Sequence, residues 1–462
     1  MKNPPYSEVI IIVIFDLDGT LYRTHETCLP AFREMCALYK IPLTKESENF
    51  LLYTTTDSFL RKNAPEMTAE QRVKFGKEIK WREISAVKER DRLFDGIREL
   101  LDSLVNDGIE MAICGMGSKE YIDTVLEHCD IAKYFKAVYH RVEGLTKTQV
   151  MKTLLTDMNL ESNQCLMIGD STIDLTAAQE NDVPFIGVSY GYGADDVAQS
   201  EVLVNDAAQL QTAIYRSLLY LIIERDISLL QKQIQKPEQQ PIVVGINGVD
   251  TSGKTVFALG LENYLRHRGI HTQIIHLDDF HNPRTIRYAD ISPEGYIKHA
   301  FDLPKLSNLL RQLRQCPSKI TVDLLDLDAD TYTNEKTFQA NDNSVIIVEG
   351  VLLYREPIDM FFDYRIFLDI TFDEVLHRAQ ARDVPKYGKA FLQRYIDRYI
   401  PAQKIYLNEY FPKEKCRLII DNNDFTKPKI QAIQAAVLSD AVIYTTIISN
   451  ANSRQTIKDM IY

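Results

Sequence analysis

One eight-residue segment constrains the fold of this chain more than any other. The apolar residues 242–246 are followed by Gly248-Val249-Asp250-Thr251-Ser252-Gly253-Lys254-Thr255, which has the pattern GxxxxGK[ST]. Between a strand and a helix, such a loop wraps phosphate oxygens with backbone amides, while its lysine contacts phosphate and its hydroxyl contacts Mg²⁺. The segment therefore predicts an α/β domain that binds a nucleotide.

Short apolar runs on both sides of residue 236 extend this prediction to the whole chain. They lie at residues 9–15, 111–114, 165–168 and 185–188, and then at 242–246, 272–277, 345–348, 365–368 and 417–420. Apolar runs of this length are typical of parallel strands that are covered on both faces. The predicted fold class is α/β, with two doubly wound, mainly parallel-sheet domains that bind ligands at the carboxyl ends of their strands.

The chain of 462 residues is long enough for about three folding units. Residues 22–92 have a helical pattern without comparable strands, and residues 231–240 are rich in glutamine and contain Pro237. We therefore expect a first domain at 1–215 with a helical cap at about 22–92, a helix and Gln/Pro linker at 216–240, a second domain at 241–440 and a tail at 441–462.

Composition excludes several classes of partner. The net charge of -12 argues against nucleic acid and membrane surfaces, which favour a basic face. The apolar run at 9–15 is far shorter than the ~20 residues that span a bilayer, and no signal-peptide cleavage site follows it. The seven cysteines form no CxxC pair, which is typical of reduced thiols. We expect a cytoplasmic protein with small-molecule substrates, and the sequence does not indicate an oligomeric state.

Acidic residues end two of the predicted strands in the first half. Asp16 and Asp18 follow residues 9–15 and, being two positions apart, point to the same side. Asp170 and Asp174 follow residues 165–168 in the same manner. The first pair alone could be a helix N-cap cluster. Two acidic strand ends in one sheet, however, offer the oxygen ligands that Mg²⁺ prefers, and Lys147 adds a cation.

This first half resembles the haloacid dehalogenase superfamily of phosphatases over about residues 8–210. The resemblance implies that Asp16 attacks phosphorus to form an aspartyl-phosphate and that Asp18 is the acid and then the base. It also implies that Lys147 balances the phosphate charge. The acids implied to surround Mg²⁺ are Asp16, Asp18, Asp170 and Asp174. A nucleotide or phosphoglycolate is an example of the small phosphate ester expected as substrate.

One position departs from the superfamily pattern. The strand at residues 111–114 is normally followed by Ser or Thr, whose hydroxyl binds the phosphoryl group, but here Gly115 follows it. A backbone amide could donate a hydrogen bond to the substrate there, although one hydrogen bond is lost. We therefore expect slower turnover, or a domain that senses a ligand without hydrolysing it.

Further charged residues follow the strands of the second half. Asp278 and Asp279 come after residues 272–277, and an acid at that place could accept a proton from a substrate hydroxyl. Glu349 follows residues 345–348 and is placed to hold Mg²⁺. Arg378 and Arg382 share a helix face, which could be an ordinary solvated surface or a phosphate-clamping lid.

Residues 242–428 resemble the uridine kinase and phosphoribulokinase family. The matching segments, in order, are 248–255, 277–283 (LDDFHNP), 292–296 (SPEGY), 348–351 (VEGV), 378–383 (RAQARD), 398–403 (RYIPAQ) and 420–423 (IDNN). The resemblance implies ATP and Mg²⁺, with Asp278 as the base, Asp279 as the second choice for it, and Glu349 and Thr255 at the metal. It also implies that Arg378 and Arg382 stabilise the transferring phosphoryl group. His281 and Tyr296 are candidates to contact a nucleoside, or are ordinary packing residues.

These features predict a bifunctional enzyme, in which a Mg²⁺-dependent phosphatase precedes a kinase that phosphorylates uridine or cytidine. Three alternatives stay open. The kinase could use another hydroxyl acceptor, such as pantothenate or a sugar phosphate. The first domain could be a ligand-sensing module that regulates the kinase. The second domain could be a nucleotide-dependent switch without an acceptor.

Overall fold

A computed structural model describes residues 11–52, 54–193, 197–233, 240–316 and 319–434. The chain divides into two compact units between Leu218 and Leu219, and each unit has its own sheet. The tail predicted at 441–462 and the Gln/Pro residues 234–239 lie outside the described residues. Within the described ranges, no helix combines the length and the apolar character that a membrane crossing needs.

The first unit is built on a six-stranded sheet in which every neighbouring pair is parallel. Its strands are β1 (Ile12–Phe15), β2 (Glu110–Cys114), β3 (Ala137–Tyr139), β4 (Cys165–Gly169), β5 (Phe185–Val188) and β6 (Val202–Val204). Their order is β3-β2-β1-β4-β5-β6. All four residues of β1 and all five of β4 are buried, because helices cover both faces of the sheet. The predicted doubly wound class is confirmed here.

Nine helices are described that begin in this unit: α1 (His25–Tyr39), α2 (Lys45–Leu52), α3 (Thr56–Asn63), α4 (Ala69–Val87), α5 (Ile97–Asn106), α6 (Lys119–His128), α7 (Lys147–Asp157), α8 (Thr172–Glu180) and α9 (Ala207–Gln233). Helices α1 to α4 follow one another without a described strand and form a separate apolar core, in which Phe32, Phe59 and Phe75 pack together. We refer to α1–α4 as the cap.

The second unit has a six-stranded sheet and a separate hairpin. Its strands are β7 (Ile242–Gly248), β8 (Thr272–His276), β9 (Ile320–Asp326), β10 (Thr331–Phe338), β11 (Val345–Gly350), β12 (Tyr364–Asp369), β13 (Leu418–Asp421) and β14 (Lys429–Ile433). The sheet order is β14-β13-β12-β7-β11-β8, parallel except for β14, which runs antiparallel to β13. Strands β9 and β10 pair with each other as an antiparallel hairpin. The second predicted doubly wound domain is thus also confirmed.

Helices complete the layers of the second unit: α10 (Lys254–His267), α11 (Arg284–Arg287), α12 (Pro293–His299), α13 (Leu303–Leu313), α14 (Phe372–Tyr387), α15 (Phe391–Arg394) and α16 (Ile400–Tyr410). One turn of π-helix, Tyr395–Tyr399, joins α15 to α16. One core cluster of this unit packs α13 and the residues after β11 against one face of the sheet.

The part of α9 after Leu218 packs onto the second unit. The buried Asp226 carboxylate accepts hydrogen bonds from the Tyr364 hydroxyl at 3.1 Å and from Arg417 Nε at 2.9 Å. Glu224 accepts from the Tyr264 hydroxyl at 2.6 Å and pairs with Arg268 at 3.1 Å. Residues 219–233 therefore belong to the second unit through buried ionic contacts.

Candidate active sites

The carboxyl edge of the first sheet brings together acids that are far apart in the chain. Asp16 follows β1 and Asp170 follows β4, and these two strands are neighbours. Gly19, in the loop after β1, has φ +82°, and a Cβ there would lie 2.2 Å from Asp170 Oδ2. Only glycine allows the loop to pass this close to the carboxylate.

Three of the predicted acids form one buried group. Single carboxylate oxygens of Asp16, Asp170 and Asp174 all lie within 4.8 Å of one another. Asp174 is held by a capping box, in which Ser171 N and Oγ donate to Asp174 Oδ2 at 3.0 and 2.6 Å. Buried carboxylate oxygens converging in this way fit Mg²⁺, a hard cation that takes oxygen ligands.

Lys147 is the cation of this group. It is the first residue of α7, its side chain is buried, and its ammonium contacts the carboxylates of both Asp16 and Asp174. One ammonium faces three carboxylates, so the group carries an excess of negative charge that a divalent cation would offset. The fit to Mg²⁺ therefore rests on charge as well as on ligand type.

Burial controls the acidity of the group. It raises the pKa of Asp16 well above its ordinary value, against the opposing effect of the Lys147 ammonium. It also raises the pKa of Asp170 to about 7, and the Asp174 carboxylate adds to this shift. Although burial disfavours its charge, the pKa of Lys147 is raised by Asp16 and Asp174. The lysine thus stays protonated while the carboxylates compete for protons.

Asp18 has different neighbours. Its Oδ1 accepts hydrogen bonds from the Tyr121 hydroxyl at 2.9 Å and from the Thr24 hydroxyl, and it is not part of the three-carboxylate group. Burial raises the pKa of Asp18 above its ordinary value, although both hydroxyls oppose the shift. A carboxyl with a raised pKa is suited to donate a proton. The structure thus separates Asp18 from the predicted metal ligands.

Gly115 follows β2 on the same edge. Its amide donates to the Tyr139 carbonyl at 2.9 Å, so this amide is not available to replace the missing hydroxyl. A Cβ at Gly115 would meet Ile122 Cδ1 at 3.0 Å, and the backbone is outside the left-handed region. The position could therefore accommodate a small side chain after a slight movement of Ile122.

A cavity of about 1030 Å³ lies between this edge and the cap. Asp16, Asp18 and Lys147 line one part of it, and residues of α4, including Glu83, line another. The cavity is large enough for a small organic phosphate.

In the second unit, the segment after β7 forms the predicted loop. Thr251 and Gly253 have φ of +56° and +91°, and Lys254 begins α10. The Lys254 ammonium donates to the Val249 carbonyl at 2.8 Å, so it folds back over its own loop. Backbone in this conformation turns successive amides toward one point, where an anion binds.

Thr255 and Glu349 meet beside this loop, because β7 and β11 are neighbours. The Thr255 hydroxyl donates to Glu349 Oε1 at 3.1 Å, and His276 Nδ1 lies 2.7 Å from the same oxygen. The Glu349 hydrogen bond raises the pKa of His276. A hydroxyl and a carboxylate at this place are the protein ligands expected for the Mg²⁺ of a bound nucleotide.

The two adjacent acids after β8 have different surroundings. Asp279 Oδ2 pairs with the Lys336 ammonium of the β9–β10 hairpin at 3.0 Å. Burial lowers the pKa of Lys254, and the carboxylates that oppose this shift belong to Asp250, Glu349 and Asp278. The Asp278 charge therefore acts on the loop lysine, whereas the Asp279 carboxylate is paired with the lysine of the hairpin.

The two arginines of α14 also differ. Arg378 donates through Nε to Glu374 and through its terminal nitrogens to the carbonyls of Thr251, Asn422 and Asn423, at 2.6 to 3.2 Å. Arg382 pairs with Asp383 at 2.8 Å and donates to the Tyr395 hydroxyl at 3.0 Å. Four of the five N–H groups of Arg378 are thus engaged with protein.

Asp250 lies inside the loop and is held in position by a residue of α16. Gln403 Nε2 donates to Asp250 Oδ2 at 2.6 Å, and the Asp250 amide donates to Gln403 Oε1 at 2.9 Å. His281 Nδ1 contacts the Asp278 carbonyl at 2.7 Å, and the Tyr296 ring packs on Tyr399 with ring centres 5.1 Å apart. Burial lowers the pKa of His281 and raises that of Tyr296, and the charges of Asp250 and Asp278 also act on both groups.

Two family models match the chain. Residues 13–188 match the model described as haloacid dehalogenase-like hydrolase, and residues 243–410 match that of the phosphoribulokinase / uridine kinase family. The chain carries one domain of each family. We refer to them as the hydrolase domain and the kinase domain.

Individual relatives are similar to one half of the chain each. A 5'-nucleotidase of Pseudomonas aeruginosa is 29% identical over 197 residues, covering 40% of this chain and 85% of the relative. A uridine kinase of Lactobacillus johnsonii is 29% identical over 180 residues, covering 38% and 83%. A solved structure of a possible uridine kinase from Bacillus stearothermophilus is 28% identical, covers 43% of this chain and 98% of its own, and has a TM-score of 0.33.

Several site residues were not predicted from the sequence. In the hydrolase domain they are Thr24 and Tyr121, which bind Asp18. In the kinase domain they are His276, Lys336 and Gln403. Gln403 lies within the matching segment 398–403, which was the one sequence signal available for any of them.

Proposed function

We propose that the protein is a bifunctional enzyme, an ATP-dependent kinase for uridine or cytidine fused to a Mg²⁺-dependent phosphatase for a small phosphate ester. The observation that carries the proposal is that each sheet brings one lysine under the influence of its own acids. Lys147 contacts Asp16 and Asp174, and the charges of Asp250, Glu349 and Asp278 act on Lys254. The names of the two relatives support the same pair of activities.

In the kinase domain, the amides of the loop 248–255 and the Lys254 ammonium would hold the phosphates of ATP. The Asp278 carboxylate takes the proton of the 5'-hydroxyl as that oxygen attacks the terminal phosphorus. The bond from this phosphorus to the bridging oxygen breaks, leaving ADP and the nucleoside monophosphate. Thr255 and Glu349, which are hydrogen-bonded to each other, would hold Mg²⁺, and the ion would neutralise charge on the phosphoryl oxygens in either domain.

We assign different roles to the two arginines of α14. Arg382 has an N–H pair without a described partner, and its charge reaches Lys254 and Asp250, so we assign to it the transferring phosphoryl group. Arg378 instead joins the Thr251 carbonyl to the segment after β13. We assign to Arg378 the positioning of the loop, in place of the contact with phosphate that the sequence predicted.

In the hydrolase domain, an Asp16 oxygen attacks phosphorus while Asp18 gives its proton to the leaving oxygen. The phosphorus–oxygen bond of the ester breaks, and an aspartyl-phosphate remains on Asp16. Asp18, now a carboxylate, takes a proton from water, and the resulting hydroxide releases inorganic phosphate and restores Asp16. Its raised pKa suits Asp18 to the first step, and Tyr121 and Thr24 orient its carboxyl.

One observation favours a second candidate for the hydrolase domain. At Gly115 both the expected hydroxyl and the free amide are missing, which weakens the hold on a phosphoryl group. A domain of this kind could bind a phosphorylated ligand and regulate the kinase without turnover. If the wild type hydrolyses no phosphate ester and Asp16→Asn changes only the kinetics of the kinase, this candidate replaces the phosphatase.

A substrate panel on the purified full chain tests the proposal. Labelled ATP is offered with uridine, cytidine, a purine nucleoside, pantothenate and a sugar phosphate, and transfer is followed by chromatography. In parallel, phosphate release is measured from nucleoside monophosphates and phosphoglycolate with and without Mg²⁺. Transfer to a pyrimidine nucleoside and Mg²⁺-dependent release are expected. Transfer only to another acceptor would reject the nucleoside assignment, and ATP binding without any transfer would indicate a switch.

The proposed cellular setting is the cytoplasm. All seven cysteines are free thiols, and six of them are buried. A chain with seven free thiols is typical of a reducing compartment.

A further inference from the structure

The cap contributes two acidic side chains to the cavity, Asp57 and Glu83, and the catalytic mechanism uses neither of them. Glu83, on α4, lines the same cavity as Asp16 and Asp18. We propose that the Glu83 carboxylate selects the leaving group of the phosphatase substrate, accepting neutral or cationic groups and rejecting anionic ones. The proposal rests on the phosphatase function of the hydrolase domain proposed above.

The other charged cap residues at the cavity already have ionic partners. Arg72 pairs with Asp57 at 2.9 Å, and Lys80 pairs with Glu120 of α6 at 2.8 Å. In the described part of the chain, Glu83 has neither an ion pair nor a hydrogen bond to its carboxylate. Among the charged cap residues described at the cavity, Glu83 is thus the one whose carboxylate is not held in an ion pair, and it faces whatever part of the substrate enters the cavity beyond the phosphoryl group.

The electrostatic surroundings of Glu83 agree with this position. Burial raises the pKa of Glu83 to about 7, the Asp18 carboxylate adds to the shift, and the Arg141 guanidinium opposes it. Glu83 thus lies within electrostatic range of the residue that protonates the leaving oxygen. Arg141 lines the cavity but is exposed to solvent, which screens its attraction for an anion more strongly than the repulsion from Glu83.

This arrangement narrows the substrate class. A leaving group with hydroxyl or amino groups can donate hydrogen bonds to Glu83, as a nucleoside or an amino alcohol does. A leaving group that carries its own carboxylate, such as glycolate, meets a like charge in a partly buried site. The cavity of about 1030 Å³ has room for a nucleoside. Of the two examples that the sequence suggested, a nucleotide fits and phosphoglycolate does not.

Three substrates of similar size test the proposal on the full-length protein. They are 2-phosphoglycolate, 2-hydroxyethyl phosphate and 2-aminoethyl phosphate, whose leaving groups are anionic, neutral and cationic. The kcat/KM of phosphate release is measured at pH 8.5, where Glu83 is ionised, for the wild type, Glu83→Gln and Glu83→Lys. Glu70→Gln is the matched control, because Glu70 is an exposed acid of the same helix and does not line the cavity.

The wild type and Glu70→Gln should prefer the neutral and cationic substrates over 2-phosphoglycolate by roughly tenfold. The preference should fall in Glu83→Gln and reverse in Glu83→Lys, a graded order that loss of folding would not produce. Equal preference in all four proteins, or a wild type that favours 2-phosphoglycolate, would overturn the role of Glu83 alone. Absence of any hydrolysis by the wild type would instead overturn the phosphatase function and this proposal together.

Discussion

The Lys336 ammonium lies 3.0 Å from the Asp279 carboxylate, and this contact separates the roles of two adjacent acids. Asp278, for which the described residues offer no such ion pair, instead helps to raise the pKa of Lys254 against the lowering effect of burial. We expect Asp278→Asn to lower kcat of phosphoryl transfer by roughly 10³-fold, since it removes the base. Asp279→Asn is the matched control and should retain kcat within about tenfold, because it breaks only a half-exposed ion pair. The opposite ranking of the two variants would assign the base to Asp279.

The carbonyl contacts of Arg378 lead to a distinct kinetic prediction. Arg378→Ala should raise KM for ATP by roughly tenfold with a smaller effect on kcat, because the loop loses its tie to the Asn422 carbonyl. Arg382→Ala should mainly lower kcat, since we assign to that side chain the stabilisation of the phosphoryl group during its transfer. Steady-state kinetics with ATP varied at saturating acceptor measure both. If Arg378→Ala lowered kcat as strongly as Arg382→Ala and left KM unchanged, Arg378 would itself contact phosphate.

The missing hydroxyl in the hydrolase domain can be restored. Gly115→Ser should raise kcat/KM for phosphate release by about tenfold, as one additional hydrogen bond to a charged group would. Only Ile122 Cδ1, at 3.0 Å from the new Cβ, has to move. Gly117→Ser serves as the control, because its Cβ would lie 2.9 Å from the Tyr121 ring and offers no such gain. No increase at residue 115 would mean that the phosphoryl group is held in another way.

The buried Asp226 carboxylate of α9 leads to a prediction about the stability of the kinase domain. Asp226→Ala leaves the buried Arg417 without its partner, which should lower the free energy of unfolding by about 3–5 kcal/mol. Glu262→Ala breaks a more exposed pair with Arg266 and should cost less than about 1 kcal/mol. Urea unfolding followed by loss of ATP binding measures both. Equal free energies of unfolding for the two variants would show that residues 219–233 do not stabilise this domain.

Local sequence patterns predicted most of the fold. The apolar runs before Asp16, Asp170 and Glu349 became buried parallel strands, because the run lengths and the acids after them are encoded within a few residues. Strands β3 and β6 were not predicted, since three residues are too few to form a pattern. The longer strands β9, β10 and β14 were also missed, because polar residues interrupt them and no continuous apolar run marks them.

The partners of the site residues could not be predicted in the same way. Tyr121 is 103 residues from Asp18, Lys336 is 57 from Asp279, and Gln403 is 153 from Asp250. Contacts of this separation depend on how strands order in a sheet and where helices pack, which a single sequence does not state. The role proposed for Arg378 differs from the predicted one for the same reason, because its carbonyl partners come from two distant segments, the loop at Thr251 and the residues Asn422 and Asn423.

The most direct test of the central claim, two independent active sites in one chain, is a paired knockout. Asp16→Asn and Asp278→Asn are made separately in the full-length protein, and phosphate release and phosphoryl transfer from ATP are measured for each. We expect Asp16→Asn to abolish only phosphate release and Asp278→Asn to abolish only transfer. Loss of both activities in either variant, or phosphate release that survives Asp16→Asn, would contradict the claim of two independent active sites.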